Sequence, residues 1–443
     1  MTRPALPALT ALALLPAGAL AQVEGEVGRY SDATVQGSFV EPAPVEVADD
    51  AELAGLIAVP AGFEVSVAGR DLGNVRMLAV HGGHVYATRR LEGDVIRLVD
   101  ANGDGVFEDH VTVATQPQMH GIAFHGDTAF LVTVKSVFTA PVNEDGSFGE
   151  LTEIIDDLPD GGQHPNRTLA VGPDGMLYVT VGSTCNACAE TDDESATILR
   201  ANLDGTGRQV FAQGLRNTIG FGWTEGGDLY GADMGIDWLG DAEQPEELNL
   251  VEQGSLYGWP YVYADNQVNP QDNPEERGEG TIEEWQAKST APVLDYTAHA
   301  SPLQMAFYEG EAFPEEYRGD AFVAMHGSWN RRPPSGYELA RVDFEDGRPV
   351  AWEPFATGFL IDHGDEGTAE GTRWGFVGRP AGVVVVENLG NTAYAYLDTE
   401  AGPVIAEADP GRHASPGDLV GLKVDGARAH VFDAEGTAWP LAA

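Results

Sequence analysis

The 443-residue chain holds only two cysteines, Cys185 and Cys188. That excludes a disulfide-scaffolded miniprotein, and two thiols alone make a poor zinc site. They lie in STCNACAE, where Ala189 stands in the place that covalent haem attachment requires histidine. A c-type haem is therefore excluded at this motif. In an oxidising compartment the pair reads as a short-loop disulfide, with a redox-active dithiol as the alternative. Basic charge is also scarce. Twenty-four Lys and Arg stand against 70 Asp and Glu, a net charge of −46, and only Lys135, Lys288 and Lys423 are lysines. So acidic a surface repels phosphate backbones and excludes nucleic acid as a partner. It also makes an arginine near a site informative, because such an arginine faces an anion. The alternative for any one arginine is a surface ion pair, which is the expectation for Arg89, Arg90 and Arg208.

Long apolar runs are nearly absent. The exception is N-terminal: MTRPALPALTALALLPAGALAQ opens with Arg3, runs apolar over Ala5–Leu20 and ends in the small-x-small site Ala19-Leu20-Ala21. That order predicts a secretory signal peptide over residues 1–21, cut after Ala21, with a membrane anchor as the alternative. No other segment is apolar enough to span a bilayer, so the expected location is periplasmic or secreted. Residues 22–60 are acidic and aperiodic, an expected leader that lies along the domain or stays mobile.

Turn chemistry is plentiful: 55 Gly and 27 Pro are spread along the chain, which points to many short strands. From about residue 61 a strand–turn–strand unit recurs. Its copies are HVYATRRLEGDVIRLVD (84–100), TAFLVTVKSVFTAPV (128–142), MLYVTVGS with ATILRANLDG (176–183, 196–205), DLYGADMG with ELNLVEQG (228–235, 247–254) and DAFVAMHGSWN with YELARVDF (320–330, 337–344). Weaker copies are GVVVVENLGNTAYAYLD (382–398) and ARAHVFDAEG (427–436). Tyr86, Phe130, Tyr178 and Tyr230 recur at roughly blade-length intervals of about 45–50 residues. Period-2 alternation without an amphipathic helix predicts an all-β chain, and about six units predict a six-bladed β-propeller over 61–443. The interval from Met234 to Asp320 is expected to hold one extra blade plus a polar loop, 264–285, placed over the mouth. Propeller mouths gather loops from every blade, so His164, Arg216 and Arg331 can converge there.

Several residues carry possible chemistry. His164 sits in a loop before a strand, three residues from Arg167. It reads as a general base or as a loop histidine bonded to backbone. His120, His299 and His326 share that second possibility. Arg216 and Asn217 in GLRN, and Arg331 after HGSWN, suit a clamp on a carboxylated ligand or bridges between blades. Asp100, Asn102 and Asp104 form a DxNxDG loop. That pattern fits a structural calcium or an acidic turn; Val111 replaces the glutamate that an EF-hand would require.

Taken together, HPNRTLAVGPDGMLYVTVGSTCNAC, GLRNTIGF, EELNLVEQGSLYGWP and RGDAFVAMHGSWNR resemble the soluble quinoprotein glucose/sorbosone dehydrogenase family, in particular its sorbosone-dehydrogenase-like branch. The resemblance covers most of residues 61–398. It implies a six-bladed propeller holding pyrroloquinoline quinone (PQQ) over its channel. It also implies a histidine that takes a proton from a sugar hydroxyl as hydride passes to the quinone, and a Ca²⁺ held partly by main-chain carbonyls. On this resemblance His164 is the base and Gln116 a substrate-side glutamine. Arg216, Asn217 and Arg331 contact the cofactor, and the Gly235 and Ile236 carbonyls hold calcium. Trp329, Trp259 and Tyr257 are candidate walls or core residues. Two positions depart from the glucose-oxidising branch: Glu309 stands for a lysine, and Ile219 lies near a glutamine position.

The resemblance thus implies a PQQ-dependent oxidation of an aldose or sorbosone-type aldehyde to lactone or acid, with electrons leaving to a separate acceptor. Two alternatives stand beside it: a calcium-dependent propeller hydrolase such as a lactonase, and a non-enzymatic sugar-binding propeller.

Overall fold

Alternating apolar residues and tight glycine turns build five four-stranded antiparallel sheets, each from strands consecutive in the sheet order. The first sheet is Val75–His81, His84–Arg89, Asp94–Val99 and Asp109–Thr115. The second is Gly121–His125, Thr128–Val132, Val137–Pro141 and Thr152–Ile155. The third is Leu169–Val171, Leu177–Val181, Thr197–Ala201 and Gln209–Gln213. The fourth is Gly220–Trp223, Leu229–Asp233, Glu246–Leu250 and Leu294–Tyr296. The fifth is Pro302–Phe307, Ala321–Met325, Glu338–Glu345 and Arg348–Ala356. A three-stranded sheet pairs Ala43–Pro44 in parallel with Trp374–Phe376, which pairs antiparallel with Leu360–Asp362.

This computed structural model describes residues 37–365, 367 and 372–386, with the backbone of four later strands. A first compact unit ends at Val386 and a second begins at Glu387. The second contains two antiparallel pairs, Ala393–Thr399 with Gly402–Ala408 and Val431–Phe432 with Ala438–Trp439. The expected signal peptide, residues 22–36 of the leader, residues 387–392 of the weak repeat at 382–398 and most of the repeat at 427–436 lie outside the described residues. Within residues 37–60, Val40 N donates to Trp329 O, and Ala58 bridges to Thr357.

The first strands of neighbouring sheets pack against one another. Close approach there requires glycine. An added Cβ on Gly121 would fall 2.9 Å from Arg167 O, and one on Gly220 would collide with Leu303 O. The repeated aromatic of each second strand packs between sheets. Tyr86 meets Phe124 (ring centroids 5.0 Å apart), Tyr178 meets Trp223 (5.1 Å) and Tyr230 meets Phe307 (6.5 Å). Such pairs add about 0.5–1.5 kcal/mol each beyond their buried area. Between the fifth and first sheets, Gln304 joins three chain segments. Its Oε1 accepts from Leu78 N and Val383 N, and its Nε2 donates to Leu78 O at 2.7 Å.

The extra blade expected between Met234 and Asp320 is not there. Leu294–Tyr296 is the outer strand of the fourth sheet, and the long excursion before it holds a short hairpin and the helices Pro274–Arg277 and Ile282–Lys288. Helical spacing is hard to see in segments that short.

Candidate active site

Strands alternate in direction, so the start of every first strand and the end of every second strand lie at the same end of a sheet. That end collects His120, His164, Arg216 and Asn217 before first strands, and Arg90, Ser183 and His326 after second strands.

His164 is held from the third sheet. Its Nδ1 lies 3.1 Å from Ser183 O and 2.8 Å from Ser183 Oγ. Ser183 Oγ spends its proton on Cys185 O at 2.7 Å. Both groups facing Nδ1 are therefore acceptors, so the ring carries its proton on Nδ1 and keeps the Nε2 lone pair free. Burial, then the nearby Arg216 charge, push the His164 pKa down to about 3. The imidazole is a neutral base throughout the neutral range.

Arg216 and Asn217 open the fourth sheet. Buried Asp233 accepts from both of their main-chain amides at 2.8 Å and from Thr218 Oγ1 at 2.7 Å, which fixes the GLRN turn. The Arg216 guanidinium donates through Nε to Asn186 O, and through Nη2 to Asn186 Oδ1 and to Asp237 Oδ2. Asn217 Oδ1 is buried without a partner. Gly182 lets these residues meet: a Cβ there would fall 2.7 Å from both Asn217 Oδ1 and His164 Cβ.

Of the other arginines at this end, Arg76 and Arg379 were not singled out by sequence, and Arg90 was expected in a surface ion pair. Arg76 at the start of the first sheet and Arg90 at the end of its second strand each bury an Nε without a partner. Neither forms an ion pair, nor does Arg379, among the described residues. Arg89 pairs with Asp94, and Arg208 with Asp157 and Glu194, as expected; the surface pair expected for Arg90 does not form, because it faces other cations instead. Burial, Arg90 and Arg379 all lower the Arg76 pKa. His120 lies among them, with Nδ1 2.8 Å from Arg167 O and a buried, unpartnered Nε2. Burial and Arg76 push its pKa down to about 3. His326 Nδ1 lies 3.0 Å from Pro380 O, and burial and Arg379 bring it to about 3 as well. Arg379 donates to His326 O and Gly327 O. Arg167 links the two halves, since His120 faces its carbonyl and its Nη1 donates to His164 O. The usable signal was repeat phase: these residues occupy equivalent places before or after strands in successive units.

Gly235 and Ile236 follow the Asp233 strand. Their amides donate to Glu246 Oε2 and Gln244 Oε1, and among the described residues neither carbonyl accepts a hydrogen bond. The Asp100–Asn102–Asp104 loop joins the third and fourth strands of the first sheet, at the end away from the mouth. Asp100 accepts from Gly103, Asp104 and Gly105 amides there, and Glu108 brings a third carboxylate. Asn143–Ser147 and Asn202–Thr206 make the corresponding turns in the next two sheets. Gln116 follows the outer strand of the first sheet and receives Met119 N on its carbonyl; none of its contacts reaches His164 or Arg216. Arg331 donates to Asp241 O and Pro333 O, beside rather than within the histidine–arginine group. Tyr257 and Trp259 are buried, while Trp329 packs edge-on with Phe39 and Trp238. His299 holds Gly240 O. Ile219 is core, and exposed Glu309 lies past the far end of its strand, so that departure does not touch the mouth. Cys185 and Cys188 form a disulfide.

With this geometry in view, the likeness to known proteins is specific. A protein of Borreliella burgdorferi is 34% identical over 202 residues, 44% of this chain and 51% of that protein. The pyrroloquinoline quinone-dependent pyranose dehydrogenase of Coprinopsis cinerea is 25% identical over 174 residues, 33% of this chain and 23% of the enzyme. The chain thus spans about half or less of the length of these curated relatives. The holo structure of the PQQ domain of the Coprinopsis cinerea pyranose dehydrogenase superposes with a TM-score of 0.62 at 19% identity. That superposition covers 79% of this chain and 96% of the domain, and so shares its fold. The TrAA12-like family model matches residues 57–385, which carry all five sheets and every mouth residue named above, and the chain belongs to that family.

Proposed function

We propose that this chain is a PQQ-dependent dehydrogenase of an aldose or sorbosone-type sugar or aldehyde, producing lactone or acid. The observation that carries this is the grouping of Arg76, Arg90 and Arg379, without carboxylate partners, around neutral His120 and His326 and joined through Arg167 to neutral His164, in a chain of net charge −46. Guanidiniums left unpaired in so acidic a protein need an anion, and a planar tricarboxylate meets that need. The orphaned Arg76 Nε, Arg90 Nε and Asn217 Oδ1 fit its donors and acceptors. Arg216 keeps Nη1, and Arg331 keeps Nη2, for the same purpose. The Gly235 and Ile236 carbonyls fit a calcium ion.

When bound, the quinone supplies the hydride acceptor and calcium the charge that polarises it. His164 Nε2 takes the proton of the substrate hydroxyl, while Ser183 holds the ring's tautomer and plane. A bound anion offsets the Arg216 charge that depresses His164, which makes the imidazole a stronger base when the site is filled. Electrons leave to a separate acceptor. The same reading puts the protein in the periplasm or outside the cell and makes its fold a six-bladed propeller. Among the described residues no helix is long and apolar enough to cross a membrane.

The test is dye reduction by purified protein with PQQ and Ca²⁺ across a panel of aldoses and aldehydes. Activity should require PQQ and fall by roughly 10²–10⁴ in His164→Ala, with quinone affinity nearly unchanged. Lactone hydrolysis without PQQ would point instead to the hydrolase.

A further inference from the structure

The disulfide loop Cys185–Cys188 encloses Asn186, which makes six contacts at the heart of the site. Its carbonyl accepts Arg216 Nε at 3.0 Å and Trp259 Nε1 at 3.1 Å. Its Oδ1 accepts Arg216 Nη2 and Asp237 N, both at 2.8 Å. Its Nδ2 donates to Asp237 O at 3.3 Å and to Gln271 Oε1 at 3.2 Å. One residue therefore takes both nitrogens on one edge of the guanidinium. Two acceptors on one edge fix the plane of the group, and the remaining Nη1 is thereby aimed. Asp237, held in turn by Asn330 Nδ2 at 2.7 Å, supplies the countercharge. The loop also reaches His164, because Cys185 O orients the Ser183 hydroxyl.

We infer that Asn186, anchored by the Cys185–Cys188 bridge, is a positioning residue that sets the orientation of the Arg216 guanidinium for an anionic cofactor group. The cofactor part rests on the proposed quinone reading; the orientation of Arg216 does not.

The test reads Arg216 directly. Phenylglyoxal labels arginines at a rate set by their freedom, and peptide mass spectrometry resolves each site. In Asn186→Leu, which keeps the volume and the main-chain carbonyl but loses the side-chain acceptor of Arg216 Nη2, Arg216 should label about tenfold faster, as loss of a charge-assisted hydrogen bond implies. Arg208, held by its own ion pairs, serves as the unchanged reference. Asn186→Asp restores the acceptor and should return the rate to near wild type, a rescue that a merely structural role would not give. The Cys185→Ser/Cys188→Ser double variant should shift the rate in the same direction, and it carries the test if Asn186→Leu does not fold. PQQ titration should show a Kd about tenfold weaker in Asn186→Leu. If wild type takes up no quinone, the functional proposal fails while the labelling still decides the role of Asn186. A folded Asn186→Leu whose Arg216 labels at the wild-type rate overturns the inference, whatever its thermal midpoint.

Discussion

His120, His164 and His326 share one design: each gives its Nδ1 proton to a main-chain carbonyl and presents Nε2 among cations. His120 is fully buried, and its pKa of about 3 lies below the unfolded value of 6.5. The unfolded chain thus takes up a proton first as pH falls. The stability from neutral His120 is complete above 6.5 and drains as pH drops from 6.5 toward 3. His120→Asn keeps a donor for Arg167 O and cannot titrate. Between pH 7 and 5 it should lose less stability than wild type, by roughly 2 kcal/mol, measured by urea unfolding at the two pH values. An identical pH slope would show that His120 is not held neutral. At this scale the sequence disclosed what lay inside a distinctive motif. His164, Arg216 and Asn217 sit in HPNR and GLRN and could be named. Arg76, Arg90 and Arg379 were not named as a site: repeat phase marks positions at the mouth, but the lack of a carboxylate partner is defined in space, which no local pattern records.

Elements were legible where alternation was clean. The aromatics Tyr86, Phe130, Tyr178 and Tyr230 all fall on second strands. The fourth sheet was misjudged because its outer strand, Leu294–Tyr296, is only three residues long and returns after an excursion beyond Leu250. So short a strand carries no period of its own; pairing with Glu246–Leu248 defines it. The first strands depend on close backbone approach instead of side-chain bulk. Gly220→Ala places a Cβ against Leu303 O and Met305, and the neighbouring strand must move away. Chemical denaturation should show a loss of about 1–3 kcal/mol, the range for overpacked cores. A neutral outcome would mean that these strands slide freely.

At the scale of the whole molecule, Gln304 secures the fifth sheet to the first through one side chain. Gln304→Ala leaves Leu78 N, Leu78 O and Val383 N unpaired, which should cost about 1–3 kcal/mol; unchanged urea stability would show that packing alone closes this join. The repeat pattern disclosed the propeller-like scaffold and its common mouth. It did not disclose the strand pairs beyond Glu387, because those copies are weakly periodic. The net charge of −46 adds a long-range consequence. Any anionic ligand approaches against the field of the whole chain and is captured by local arginines, so capture should depend on those residues. The most direct measurement is equilibrium titration of PQQ, with Ca²⁺ present, into wild type, Arg76→Gln and Arg379→Gln. We expect one quinone bound per chain and an affinity at least about tenfold weaker in each variant, as loss of a charge-assisted contact requires. No uptake by wild type, or equal uptake by all three folded proteins, would contradict the account.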